Sequence, residues 1–282
     1  MAEKHQGSAG EPLPPPRSGT QSIERVVAML RVVASRGRSG MRLGDVTAAS
    51  GLPTSTCFRM LQRLEIEELV ERHPVTRKYF LGPLLHELGL LARPRLQLAQ
   101  RCEHALAELA EHTKDTVYLS ERRGLEAVCS ARALGDYPIK ALTLDVGVRR
   151  PLGVGAGGLA ILCALPESEA DEIVEANARR YGKLSTMDPA RVRAAVRQGR
   201  EQGYAFLDGP VVPGVAAVGV AFPAEDPVAA LSVAAISTRL DPVRRVRVAQ
   251  ALQGQARELA AALGRVGGGE ADRPPPGRRS AP

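Results

Sequence analysis

Two groups of residues in this sequence have the types and spacing to do chemistry. The first is a glycine-rich run, Pro151-Leu-Gly-Val-Gly-Ala-Gly-Gly158, in which Gly153, Gly155 and Gly158 have the G-x-G-x-x-G spacing of a phosphate-cradling loop. As a dinucleotide fingerprint it is incomplete. The preceding Val148-Arg-Arg-Pro151 does not read as a buried parallel strand, and no strand ending in an acid follows at the right distance. A Gly-Lys-Ser/Thr phosphate loop is also missing, so no cofactor is expected. Glycines at a helix start still expose successive amides, which suits a small carboxylate. Close packing of that helix on a sheet asks for the same residues, and on the residues alone the two readings weigh evenly.

The second group is Thr54, Ser55 and Thr56 followed by Arg59, Gln62 and Arg63. Short hydroxyls at a helix tip, with arginines along one side, suit a helix pushed end-first into a DNA major groove. There the tip reads base edges and the flanks hold phosphates. Arg42 precedes this group, and Arg72, Arg77 and Lys78 follow it, placed to meet phosphate or the minor groove. Signatures of enzymes are missing: no G-x-S-x-G elbow, no H-E-x-x-H, and no histidine beside an acid that could orient it. His104 and His112 are too far apart on one helix to share a metal, and a lone acid such as Asp208 is more often a cap than a base. The protein reads as a non-enzyme.

The elements that must position these groups follow from periodicity. Leu43, Val46 and Ala49 mark one face of a short helix over residues 42–50, Gly51 stops it, and Pro53 is pre-set for the first turn of the next helix. That second helix runs from about Thr54 to Glu67 with Cys57, Leu61 and Leu64 facing inward. Residues 69–73 and 78–81 flank a polar turn at 74–77, a wing. Before them, Ser22 is expected to cap a helix whose Ile23, Val26, Val27, Leu30 and Val33 form the floor. After the wing, Gly82-Pro83 opens a connector helix that ends at Arg93-Pro94, and its leucines 84, 85, 88 and 91 are candidates to pack between subunits.

Further on, an amphipathic helix from Leu96 to about Thr113 leads into strands at 116–121, 125–131 and 139–144, with a turn at 122–124 between the first two. Helices follow at 155–165, from Ser168 (with Asp171 as its capping-box partner) and from Asp188-Pro189 to Gly203. Strands at 204–207, 215–222 and 228–237 precede a last helix capped by Asp241-Pro242. Strands, then helices, then strands, then a helix give an α+β fold with an antiparallel sheet.

The run Gln21-Ser-Ile-Glu-Arg25, then Gly51-Leu-Pro-Thr-Ser-Thr56, Arg59, Leu61 and Leu64, then Tyr79-Phe-Leu-Gly82, resembles the IclR family of bacterial transcriptional regulators. It departs at Thr54, often lysine in the family, and at Glu68, where a glycine usually precedes the wing. Residues 151–162 resemble the family's effector-domain signature, with Gly153 and Leu159 in place of its histidine and lysine. Gly203-Tyr-Ala205, Asp208 and Gly214 match its next motif. The resemblance implies an N-terminal winged helix-turn-helix and a GAF-like C-terminal effector domain, its antiparallel sheet flanked by helices. It also implies effector contacts at Ala156, Gly157, Asp208, Ala217, Ser232 and Ala234. Alanine at 217 and 234, where relatives often carry cysteine or serine, implies a roomier and less polar pocket for a larger or more apolar acid, such as an aromatic one.

The whole chain is consistent with this. Its 282 residues suffice for two cores, and the net charge of +7 divides as +4 over residues 20–81 and +3 over the rest. Four separated cysteines look like core residues of a reducing compartment, and the first residues lack the apolar stretch of a signal peptide, so a cytoplasmic location is expected. The expected organisation is a disordered tail at 1–19, a DNA-binding domain at 20–82, a connector at 83–95, an effector and oligomerisation domain at 96–264 and a disordered tail at 265–282. The expected function is ligand-responsive regulation of transcription, of a catabolic operon, as a homodimer or homotetramer on double-stranded operator DNA, with no membrane partner. The alternative is an enzyme or nucleotide-binding module built on the Gly153–Gly158 loop, with a non-DNA role for the basic domain.

Overall fold

The computed structural model describes residues 21–92, 98–182, 184–223 and 228–267. The chain divides into two compact units after Leu91. The first is built from α1 (Gln21–Ala34), α2 (Leu43–Ser50), α3 (Thr54–Ile66), the strands β1 (Val70–Arg72) and β2 (Tyr79–Leu81), and α4 (Pro83–Ala92). Its core joins Met29 and Val33 of α1, Val46 of α2, Cys57, Leu61 and Leu64 of α3, and Met41, Val70 and Tyr79. The inner face of α1 is therefore set by Met29 and Val33, while the expected Ile23 and Val27 are exposed. Ser22 lies inside the first turn and does not cap it.

In α2, Asp45 Oδ2 accepts from the Arg42 amide at 3.3 Å, and Gly51 ends the helix in the left-handed region at φ 67°. Ala49, expected inward, faces solvent. Pro53 stays extended and its carbonyl takes the amides of Thr56 and Cys57, so it is the residue before α3 and not part of its first turn. The strands β1 and β2 pair antiparallel, and Met41 adds a third short rung by exchanging two hydrogen bonds with Tyr79 at 3.0 and 2.7 Å. At the wing tip His73 Nδ1 accepts from the amides of Val75 and Thr76. Leu88, Leu90 and Leu91 on α4 are exposed. The expected break at Arg93-Pro94 lies outside the described residues, as do residues 1–20 and 268–282; residues 265–267, expected to open the C-terminal tail, are instead the end of the last helix, which ends at Gly267.

In the second unit, α5 (Leu98–Arg101) and α6 (Glu103–Thr113) form one amphipathic stretch interrupted at Cys102; the expected first residue, Leu96, is outside the described residues. Six strands, β3 (Thr116–Arg123), β4 (Glu126–Leu134), β5 (Arg149–Pro151), β6 (Ala205–Asp208), β7 (Val215–Phe222) and β8 (Ala229–Ile236), form one antiparallel sheet in the order β5-β4-β3-β8-β7-β6. The expected strand at 139–144 is absent. Tyr118 explains why: its hydroxyl donates to the Ala141 carbonyl at 2.7 Å and accepts from the Thr143 amide at 3.1 Å, so that segment finds partners outside any ladder. Arg149–Pro151 pairs with β4 instead. Arg122 and Arg123 remain in β3, and the turn falls on Gly124 and Leu125.

Both faces of the sheet are covered. Val117, Leu119, Leu231 and Val233 pack with α6 and α11 (Pro242–Gly267) on one side. On the other lie α7 (Ala156–Ala164), α8 (Glu167–Ala176), α9 (Ala178–Tyr181) and α10 (Pro189–Gln202). Pro166 precedes α8, so Ser168 is within that helix and does not cap it. Asp188 does cap α10, accepting from the Arg191 amide at 2.9 Å, and Asp241 caps α11 through the amides of Val243 and Arg244. Asp115, at the start of β3, receives Arg239 at 3.0 and 3.1 Å and Arg244 at 2.7 Å, tying α11 to the end of α6.

Candidate functional site: a recognition helix and a glycine-floored cavity

In the N-terminal unit the inward turn of Cys57, Leu61 and Leu64 forces the opposite side of α3 into solvent. Thr54, Ser55, Arg59, Gln62 and Arg63 are exposed there and Thr56 is half-buried. Arg63 pairs with Glu67 one turn on, whereas Arg59 has no partner among the described residues and is free for an external anion. On the wing, Arg72 stacks its guanidinium 5.1 Å from the Tyr79 ring centre, and Lys78 Nζ donates to the Ser39 carbonyl at 2.9 Å. Arg77 holds a left-handed turn at φ 56°. Arg42 is exposed at the start of α2. Sequence reasoning placed these ten residues on one module; two of the wing cations prove to be braced by the fold, which fixes where their charge is presented.

Chain entry into the wing carries a local cost. Glu68 sits at φ 54°, a conformation natural to glycine and unfavourable for a residue with a Cβ.

In the second unit a small cavity of about 60 Å³ opens between the sheet and the start of α7. Alternation decides its walls. Tyr118 and Ser120 on β3, Ser232 and Ala234 on β8, and Ala217 on β7 share the face that looks at α7. Two glycines let the helix come this close. A Cβ on Gly219 would lie 2.4 Å from the Ala156 carbonyl oxygen, and one on Gly157 would lie 2.6 Å from Ser120 Oγ. The amides of Ala156 and Gly157, in the first turn of α7, have no backbone acceptor, as the first turn of any helix requires. Five of the expected residues (Ala156, Gly157, Ala217, Ser232, Ala234) therefore line one cavity.

Asp208 does not. It pairs with Ala216 on the opposite face of the sheet, is exposed, and its Oδ1 accepts from Ser237 Oγ. Besides the alanines at 217 and 234, Leu144, Val211, Val212 and Val215 supply apolar walls, and Arg150, Thr143 and Tyr118 add polar groups. Tyr118 and Ser120 were legible as the polar partners of the alternation with Val117 and Leu119. Arg150 was legible only as the neighbour of the glycine run.

The same geometry removes the dinucleotide alternative. The strand before the glycine run is a three-residue antiparallel edge strand, not a parallel strand feeding a helix. Among the described residues no three His, Cys, Asp or Glu side chains are grouped to hold a metal, and no helix is long and apolar enough to cross a membrane. Burial pushes the Cys102 thiol up to about 12 and those of Cys129 and Cys163 up to about 11, so all three are protonated core residues.

Comparison with known proteins assigns each unit a relative. Residues 22–74 match the sequence model described as the IclR helix-turn-helix domain, and residues 92–261 match that of the bacterial transcriptional regulator IclR C-terminal domain. The chain is 27% identical over 252 residues to the HTH-type transcriptional regulator XynR of Escherichia coli K12, covering 86% of this chain and 97% of that one. It is 27% identical over 270 residues to the HTH-type transcriptional repressor AllR of Salmonella typhimurium LT2, covering 93% and 96%. Its fold is also that of an IclR homologue from Microbacterium hydrocarbonoxydans solved with 4-hydroxybenzoate, at a TM-score of 0.66 and 22% identity over 86% of this chain and 99% of that one.

Proposed function

This chain belongs to the IclR family of bacterial transcriptional regulators, DNA-binding proteins with a C-terminal effector domain, and we propose that it controls a catabolic operon in response to a small organic acid. It is a regulator and not an enzyme, as its curated relatives are. In this reading Thr54, Ser55 and Thr56 meet base edges, Arg59 and Arg63 hold flanking phosphates, and Arg42, Arg72, Arg77 and Lys78 extend the phosphate contacts. The acid sits in the cavity at the first turn of α7, with Ala156 and Gly157 amides on its carboxylate and Ala217, Ser232 and Ala234 around the remainder. One winged helix supplies few base contacts, so the working form is a homodimer or homotetramer on a repeated or two-fold site, acting in the cytoplasm. Effector binding acts by its difference in affinity for two arrangements of the DNA-binding domains, transmitted through residues 83–95.

The observation that carries the DNA reading is the exposed, unpaired Arg59 beside the hydroxyl tip of a helix whose inner face is fully committed to a core. The cavity is small, at about 60 Å³, and its hydroxyls and free α7 amides suit a small organic acid. The Microbacterium homologue holds an aromatic acid, 4-hydroxybenzoate, so an aromatic acid belongs among the effectors to be tested.

Selection of genomic fragments on the purified protein, then a salt titration on the best fragment, tests the reading. A repeated site is expected, with affinity falling steeply as salt rises. Arg59→Ala should weaken it by about 1–3 kcal/mol while leaving the thermal response to acids intact. Sequence-indifferent binding, with and without acids, would refute it.

A further inference from the structure

The cavity contains a cation that no described residue neutralises. Arg150 lies on β5 with its side chain opposite to that of Arg149, half-buried against the cavity. Its Nη2 donates to the Thr143 carbonyl, and its Nη1 lies 3.8 Å from where a Cβ on Gly155 would be, at the mouth of α7. Two other arginines of the same pair of strands are paired: Arg149 with Glu126 and Arg132 with Asp145. Arg150 has no carboxylate partner among the described residues, and no acid lines the cavity. The titratable groups that face it, Tyr118 from β3 and Cys129 from β4, are both pushed up by burial and are neutral near pH 7. Burial pulls the Arg150 pKa below the usual guanidinium value, the mark of a charge with little water around it.

Two further donors point into the same space. Ser120 and Ser232 are only 4% and 6% exposed, and neither hydroxyl has a hydrogen-bond partner among the described residues. They lie 2.6 and 3.6 Å from the position of a Cβ on Gly157. A guanidinium, the positive end of a nine-residue helix with free amides, and two cavity-facing hydroxyls thus converge on one small volume. An anion satisfies all of them at once, and a neutral molecule leaves the guanidinium uncompensated.

We propose that Arg150 sets the charge class of the effector: it takes the ligand's carboxylate at the first turn of α7 and makes this cavity selective for small monocarboxylates over their neutral isosteres. This rests on the acid-effector reading above and adds to it a residue and a rule of discrimination. The chemistry is ionic and hydrogen-bonded only; no covalent step is involved. Arginine is suited to it because its fork can bind both carboxylate oxygens while one arm stays on Thr143.

The test is the unfolding midpoint of the full chain in chloride-matched buffer with propionate, benzoate, propionamide or benzamide. At least one carboxylate should raise the midpoint of the wild-type protein while its amide does not. Arg150→Met should weaken that carboxylate by tenfold or more in apparent affinity, and Arg150→Lys by less. If Arg150→Met does not fold, Arg150→Gln, which keeps a donor for Thr143, replaces it. An equal carboxylate response in wild type and variant would overturn the role of Arg150 while leaving the acid-effector reading standing. Amide binding as strong as acid binding would overturn the charge rule. Absence of any response to either carboxylate would remove both.

Discussion

Asp115 offers the sharpest energetic test of how the C-terminal unit is held. Its side chain is 1% exposed and receives three hydrogen bonds from two arginines whose side chains are 18% and 31% exposed. Both arginines also reach the Thr113 carbonyl at the end of α6, and Arg239 lies 3.6 Å from the Tyr137 ring centre. Asp115→Asn preserves the shape but removes the charge and one acceptor. Breaking a buried ion pair costs about 3–5 kcal/mol, and the partial exposure of both cations lets them rehydrate, so about 2–4 kcal/mol is expected. Arg244→Met leaves the two-pronged Arg239 contact and should cost only about 1 kcal/mol. The three side chains share one node, so the Asp115→Asn/Arg244→Met double variant should fall short of the sum by about 1 kcal/mol. Urea unfolding followed by circular dichroism reads this as a lowered midpoint at unchanged slope. A loss below about 0.5 kcal/mol for Asp115→Asn, or strict additivity, would refute the account.

Other outcomes follow from the same geometry. Gly157→Ala places a methyl 2.6 Å from Ser120 Oγ and 3.0 Å from its Cβ; it should cost about 1–2 kcal/mol net of helix propensity and abolish stabilisation by carboxylates, and Ser120→Gly should restore the stability. Glu68→Gly relieves the left-handed strain at φ 54° and should stabilise the N-terminal unit by up to about 1 kcal/mol, seen as a raised unfolding midpoint. Cys102, Cys129 and Cys163 ionise in the folded chain only near 11 to 12, against 9.0 for an unperturbed thiol. Their contribution is fully present below pH 9 and is lost as pH rises from 9 towards 11, because the unfolded chain gives up protons that the folded chain keeps. Stability should therefore decline across that window, and native protein should resist thiol reagents at pH 8; labelling at the rate of a free thiol would contradict this.

How legible all this was differs between the two units. The winged helix could be read closely because local signals coincide: Gly51 is a stop, Cys57, Leu61 and Leu64 are a stripe, and the wing turn is polar. Errors there were of phase and of helix boundary. Met29 and not Ile23 meets the core and Ala49 turns outward, since a 3.6-residue period permits neighbouring stripes. Ser22 lies inside the helix it was expected to cap, and Pro53 precedes the one it was expected to open. Strand β7 was read to its first and last residue because its apolar run is bounded by turns. The stretch 139–144 misled because its alternation looks like a strand, and only Tyr118, more than twenty residues away, supplies the competing hydrogen bonds. Asp208 was misplaced by a single position of strand parity, which sends a side chain to the other face. Arg150 could not be recognised from type or spacing. What distinguishes it is the carboxylate it lacks, and that is visible only once the cavity is assembled.

The strand order also sets a timetable for synthesis. The middle of the six-stranded sheet is the pairing of β3 with β8, joining residues 116–121 to 229–234. Such distant partners give the C-terminal unit a high contact order, and the cavity has no second wall until β8 has been made. The N-terminal unit, with its own core, is complete by Leu91. Ribosomes add about 5–20 residues per second, so roughly 7–30 s separate the two events. During that interval each new chain presents a finished DNA-reading surface whose sensor has not yet formed, and Arg150 has emerged with neither cavity nor ligand to receive its charge.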